Sequence, residues 1–204
     1  MTAPDLTRLL DDIRECTVCE AHLPLGPRPV VQVAASAKIV IIGQAPGTKV
    51  HASGIPWDDA SGDHLRLWLN ISKDTFYDAK QVAIVPMGFC YPGKKSGGDA
   101  PPRPECAPLW HDQILSRLPE DRLLILAGMY AQKAYLGSTR KRTLTKTVEA
   151  YEDYLPNAFP LPHPAWRSKL WMKKNPWFEA TVLPVLQTMV AGRLHESGQT
   201  QEAR

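Results

Sequence analysis

No apolar run in this 204-residue chain approaches the roughly 18 residues that a membrane-crossing helix needs, so a helical membrane protein is excluded at the outset. The opening segment, Met1-Thr-Ala-Pro-Asp-Leu-Thr-Arg8, lacks the apolar centre of a secretory signal, and the expected compartment is the cytosol. No sign of charge dominates either. The 24 Lys and Arg against 21 Asp and Glu leave a net +3, which permits a polyanionic partner without demanding one. There is no internal repeat and no low-complexity stretch, which argues against a solenoid or a tethered tail. Cysteine is held to four residues, too few for a disulfide-dense secreted scaffold of this length. What remains is an ordinary cytosolic composition, 44% hydrophobic, long enough for one core. Residues 1–204 therefore read as a single domain, with a polar, frayed tail over 195–204. Proline is plentiful by contrast, and its 19 residues cluster in the connections, which predicts stiff, structured loops around a compact centre.

Apolar runs locate the elements. Residues 4–15 carry Leu6, Leu9, Leu10 and Ile13 at helical spacing. Lys38-Ile-Val-Ile-Ile42 is a continuous, β-branched apolar run, as a strand buried on both faces should be, and Val82-Ala-Ile-Val85 and Leu123-Leu-Ile-Leu126 read as a second and third buried strand. Ala158-Phe-Pro-Leu161 is a weaker fourth strand. Helices are predicted over Gly62–Leu69, after Gly128 to about Leu136, and from Pro176 to about Leu194 with a kink at Pro184. Strands alternating with helices predict an α/β fold: a three-layer α/β/α sandwich around a mainly parallel four-stranded sheet. Ligands of such sheets bind off the carboxyl ends of the strands. The turn Gly43-Gln44-Ala45-Pro46-Gly47, the stretch from Pro86 to Cys90, Gly128, and Pro162-His163-Pro164 all follow strands and should meet there.

The four cysteines are Cys16-x2-Cys19, Cys90 and Cys106. Four thiolates can hold a [4Fe–4S] cluster or a structural zinc. The second half is not a C-x2-C pair, as a zinc ribbon would have, which favours the cluster over zinc. The bland alternative is a pair of disulfides or four unrelated core thiols, of which the former is disfavoured in a reducing compartment.

Taken in order, these motifs resemble the uracil-DNA glycosylase superfamily, and within it the iron–sulfur branch called family 4. That branch has Gly-Glu-Ala-Pro-Gly after its first strand, where this chain has Gly43-Gln44-Ala45-Pro46-Gly47. Its next motif, Gly-Arg-Pro-Phe-Val-Gly-x-Ala/Ser-Gly, has its counterpart in Gly54-Ile-Pro-Trp57-Asp58-Asp59-Ala-Ser-Gly62. Its cluster ligands are spaced like Cys16, Cys19, Cys90 and Cys106, and its final His-Pro-Ser corresponds to His163-Pro164-Ala165. The resemblance spans about residues 10–190. It departs at Gln44, where the branch has Glu, and at Pro86, where it has an Asn that reads uracil.

The resemblance implies a monomeric DNA repair glycosylase that flips out uracil, or another deaminated or modified base, and hydrolyses its glycosidic bond. Trp57 would stack on the flipped base, or else belong to the core beside Trp68. His163 would donate to the departing base, and the Gly43–Gly47 backbone would assist. Gln44 would orient water. Asp58 or Asp59 would supply the missing carboxylate, unless both merely cap the helix near Gly62. Trp166, Arg167 and Lys169, and a second patch at Arg140-Lys141-Arg142, would touch DNA phosphates or fill the vacated stack, unless they are solvated surface. The absence of the reading Asn and of the Glu leaves a second outcome open, a damaged-DNA binder of the same fold that does not turn over.

Overall fold

A computed structural model of the chain describes residues 5–95 and 97–202, with side chains described through Leu194. Among the described residues there are six strands: β1 (Ile39–Ile42), β2 (Val82–Ile84), β3 (Lys94–Lys95), β4 (Gly98–Asp99), β5 (Leu123–Ala127) and β6 (Ala158–Leu161). Four of them form one sheet in the order β2-β1-β5-β6, every pair parallel. Ile39 sits opposite Val82 on one side and Leu123 on the other, and Leu124 sits opposite Ala158. β3 and β4 form a separate antiparallel hairpin, with Lys94 facing Asp99.

The strands are apolar at consecutive positions because both faces of the sheet are covered. Ile39, Ile41, Val82, Ile84, Leu123 and Ile125 point into one core, where they meet α3 (Ala60–Leu69), α7 (Leu144–Glu149) and α9 (Leu183–Glu202). Val40, Ile42, Ala83, Val85 and Leu126 point into the other, against α1 (Leu6–Arg14), α5 (Cys106–Leu115) and α6 (Met129–Leu136). The strand isoleucines are wholly buried, each stabilising the fold by roughly 1.5–3 kcal/mol relative to exposure. Three further short α-helices lie among the described residues, α2 (Thr48–Ser53), α4 (Lys73–Tyr77) and α8 (Ser168–Lys174), beside short 3-10 turns.

The three-layer architecture is the expected one. The β3–β4 hairpin and the helices α2, α4, α5, α7 and α8 are additions to the elements expected from the sequence. The last helix also differs in detail. A π-helical turn, Phe178–Val182, precedes α9, so the irregularity lies ahead of Pro184. Pro184 has no N–H to give and its ring crowds the carbonyl four residues earlier, and the wider turn absorbs that conflict. The tail expected to fray over 195–204 instead continues α9 as helical backbone to Glu202, and residues 203 and 204 lie outside the described residues. No helix among the described residues is long and apolar enough to cross a membrane.

Strand order fixes where a ligand can go. β1 and β5 are neighbours, and the chain leaves β1 towards β2 on one side and β5 towards β6 on the other, so the connections leaving β1 and β5 diverge and open a crevice at the carboxyl ends.

Candidate active site

A cleft of about 460 Å³ occupies this crevice, walled by the Gly43–Gly47 turn after β1, Pro86 after β2, His163 after β6, and Trp57 from the loop before α3. The turn is held from behind. Met87 N–H donates to the Gly43 carbonyl and Gly88 N–H to the Gln44 carbonyl, each at 3.0 Å.

Trp57 is one wall of the cleft and also packs on the core: its ring lies against the sheet-face cluster and lines the cleft. Its backbone is left-handed, with φ +57°, an uncommon state for a bulky residue that persists only when its surroundings over-determine it. Two glycines do so. A Cβ on Gly62 would stand 1.8 Å from the Trp57 carbonyl oxygen, and one on Gly43 would stand 2.8 Å from the indole Cζ2. The motif glycines at these positions are therefore the space into which Trp57 fits.

His163 faces Trp57, with ring centroids 5.4 Å apart and planes inclined by 33°. Its backbone is anchored on both sides. Ser168 Oγ donates to the His163 carbonyl, and Gly128 N–H and Gln132 Nε2 both donate to the carbonyl of Leu161 two residues earlier, at 2.9 and 2.8 Å. Burial lowers the His163 pKa, against the opposing pull of the Asp59 carboxylate. The imidazole is therefore neutral near pH 7, with one N–H to donate.

Pro86 is buried and carries no N–H. Its carbonyl accepts from His111 Nε2 at 3.0 Å, and Tyr135 Oη donates to His111 Nδ1 at 2.6 Å. His111 is 4% exposed and stacks on Phe89, and burial lowers its pKa. Residue 86 thus has no N–H to offer, its carbonyl already accepts from His111, and its side chain presents a ligand only apolar ring surface. Sequence reasoning missed His111 and Tyr135; their partnership needs the fold to bring α5 and α6 beneath the strand end.

The carboxylates separate. Asp59 lines the cleft, but its Oδ1 accepts from Gly62 N–H at 2.9 Å and caps α3. Asp58 does not line the cleft. A third carboxylate, Asp99, reaches the cleft from the hairpin, and a Cβ on Gly47 would lie 3.4 Å from its Oδ2. Partial burial raises the Asp99 pKa, opposed by Lys94 and reinforced by Asp59. Gln44 lines the cleft while its Nε2 donates to the Ala100 carbonyl at 3.3 Å. Asp99 was not anticipated; the Gly97-Gly98 pair between polar residues was the only hairpin signal.

Trp166 and Arg167 flank the cleft mouth. Trp166 is 67% exposed, and the Arg167 guanidinium lies over its ring, 5.5 Å from the centroid. Lys169 is exposed but outside the cleft wall, and so are Arg140, Lys141 and Arg142, where Lys141 Nζ pairs with Asp153 at 2.5 Å.

The four cysteines come together from three parts of the chain and line one small cavity with Leu23, Phe89 and Trp110. None is in a disulfide, so the disulfide alternative is set aside. Among the described residues, no three His, Cys, Asp or Glu side chains gather closely enough for a single metal ion. Burial pushes the Cys90 thiol up to about 11 and the Cys106 thiol up to about 12. Phe89 N–H donates to Cys106 Sγ at 3.3 Å, and the buried Trp110 Nε1 has no partner among the described residues. An orphaned donor beside four sulfurs fits a group rich in sulfur acceptors, for an unsatisfied buried N–H costs about 1–3 kcal/mol.

A neutral imidazole donor beside an indole face, in an apolar-backed cleft with carboxylates at its rim, can grip a planar heterocycle and stabilise negative charge on it. The model of one protein family, the uracil DNA glycosylase superfamily, matches residues 30–187.

Proposed function

Because the chain belongs to the uracil DNA glycosylase superfamily, we propose that it is a monomeric cytosolic glycosylase of DNA repair, one that extrudes a deaminated or modified base from DNA and hydrolyses its N-glycosidic bond. The observation that carries this reading is the Trp57–His163 pair, two rings 5.4 Å apart in the cleft at the strand ends. Flipping a base costs a few kcal/mol, and stacking on an aromatic face returns about 1–3 kcal/mol. His163 donates to the base as the glycosidic electron pair moves onto it. A neutral donor suits this role, since it stabilises the developing anion without having to give up its proton.

Pro86 governs which base enters. With no amide there and its carbonyl tied to His111, nothing at this wall reads the edge that separates uracil from other bases. Selectivity is accordingly broader than for uracil alone, or directed to another lesion. Trp166, stacked under Arg167 at the mouth, is the wedge that fills the vacated stack. Arg167 meets phosphate, and Lys169 and the Arg140–Arg142 patch extend the electrostatic footprint.

The four cysteines would hold a [4Fe–4S] cluster that ties the segment after α1 to the start of α5, with zinc as the lesser alternative. Such a cluster supplies cross-linking of those segments and no hydrolytic chemistry, since four thiolates leave its irons without an open site. Trp110 Nε1 and Phe89 N–H would face its sulfurs.

The test is single-turnover excision by anaerobically purified protein. Substrates are single- and double-stranded oligonucleotides bearing uracil, hypoxanthine, xanthine or 5-hydroxymethyluracil, with alkaline cleavage of abasic sites. One excised base, lost by about 10²-fold or more in His163→Ala, is the expected result. Salt-sensitive binding with no base release would favour instead the silent damaged-DNA binder, for which Gln44, Ala45 and Pro86 speak.

A further inference from the structure

The turn after β1 carries a glutamine at 44 rather than an acid, and the cleft holds a carboxylate on another element that can take that role. We propose that Asp99 is the catalytic carboxylate that takes the proton of the attacking water, and that Gln44 is the positioning residue that holds it there. The proposal rests on the glycosylase reading above.

Among the described residues, the acidic side chains lining the cleft are Asp59 and Asp99. Asp59 has an oxygen committed to the α3 cap. Asp99 projects from the hairpin over the Gly43–Gly47 turn, its Oδ2 within 3.4 Å of the space a Gly47 side chain would take. Gly47 thus leaves room for a carboxylate beside the turn, on the rim of the cleft that holds Trp57 and His163.

Gln44 makes this arrangement. Its amide donates to the carbonyl of Ala100, the residue after Asp99, and Ala100 N–H donates to the Gly93 carbonyl at 2.8 Å, closing the hairpin. A glutamate at 44 would be an acceptor facing an acceptor, and would place a second negative charge beside Asp99. The glutamine and the hairpin aspartate therefore belong together: the amide gives up the acidic role and delivers the residue that takes it over. Partial burial and the nearby Asp59 keep Asp99 more basic than an ordinary carboxylate, in the direction that favours proton uptake, while Lys94 opposes them.

The step balances. Water oxygen forms the bond to C1′, the C1′–N bond breaks with its electron pair passing to the base, and the water proton goes to Asp99. The base anion is held by the His163 N–H and is protonated from solvent. The negative charges of Asp99 and Asp59 oppose the positive charge that develops on the sugar.

Two assays test this with the full chain. Excision under enzyme excess is compared for wild type, Asp99→Asn, Asp59→Asn and Gln44→Glu. Binding is compared for duplexes carrying a cationic pyrrolidine abasic analogue or a neutral tetrahydrofuran one. Asp99→Asn, in an exposed hairpin, should keep the wild-type melting temperature, lose about 10²-fold or more in excision, and lose the preference for the cationic analogue. Asp59→Asn should cost less in rate and more in melting temperature. Gln44→Glu should move the acidic limb of the pH–rate profile to higher pH, which a purely structural glutamine would not do. The groups facing Asp99 that set this limb are Lys94 and Asp59, with His163 and Arg167 on the facing walls. Excision by Asp99→Asn at the wild-type rate overturns the proposal, as does equal wild-type affinity for the two analogues. Failure of the wild type to excise any base overturns the glycosylase reading, and the analogue comparison then decides for or against Asp99 alone.

Discussion

Gly62→Ala offers a stringent test of how this cleft is built. In most helices the exchange is favourable, since alanine gains about 1 kcal/mol of propensity over glycine. Gly62 lies in the first turn of α3, where a Cβ would stand 1.8 Å from the Trp57 carbonyl oxygen, whereas real Cβ atoms essentially never come within 3.0 Å of a neighbour. The carbonyl, which is backbone, would have to retreat by about 1.2 Å, and with it the left-handed turn at Trp57. Overpacking of this kind costs about 1–3 kcal/mol or more. Disturbing the Asp59 cap, which bonds to the Gly62 N–H itself, adds about 1 kcal/mol. Set against the propensity gain, a net loss of about 1–3 kcal/mol remains. At roughly 2–4 °C per kcal/mol for a chain of this size, the melting temperature falls by about 2–12 °C. Gly192→Ala is the control. It sits in α9 with nothing within 4 Å of its Cβ position, and it should raise the melting temperature by about 1–4 °C. Calorimetry or circular dichroism on the two variants reads the difference in sign, and excision assays on Gly62→Ala should show a displaced Trp57 as lost activity. A Gly62→Ala protein as stable and as active as wild type would refute the reasoning.

Trp166→Ala should leave the melting temperature unchanged, because the side chain is 67% exposed, and should weaken DNA binding by about 1–3 kcal/mol in a titration at fixed salt. Acidification from pH 7.5 to 5 should lower the melting temperature. Burial holds His111 and His163 below the ordinary histidine value of 6.5, so the unfolded chain takes up protons first, and stability present above that value is lost as pH falls below it. His111→Gln should flatten part of that slope; a flat wild-type profile would contradict the assignment. Cys106→Ser should abolish iron and sulfide in the purified protein and lower its stability, checked by elemental analysis and visible absorption; unchanged iron content would remove Cys106 from the ligand set.

The sequence by itself determined the frame. Three continuous apolar runs and a weaker fourth read as strands, the first three buried on both faces, and helices between them had to make the sheet parallel. From that alone the Gly43–Gly47 turn, Pro86 and His163 were bound to meet, because each follows a strand and a parallel sheet brings its strand ends to one side. The gathering of four cysteines around one cavity was legible from their isolation in the chain. What only the tertiary structure decided concerns groups whose partners are distant in sequence. Asp58 and Asp59 are neighbours, yet only Asp59 faces the cleft, because it is the one that caps α3. Asp99 rides on a hairpin of two-residue strands with no apolar alternation, so its place follows from the Gln44–Ala100 contact rather than from any local pattern. The silence of Pro86 depends on His111 rising from another helix to take its carbonyl. Periodicity records which faces are buried; it carries no information on which polar groups find each other once those faces close, and in this cleft those pairings are the chemistry.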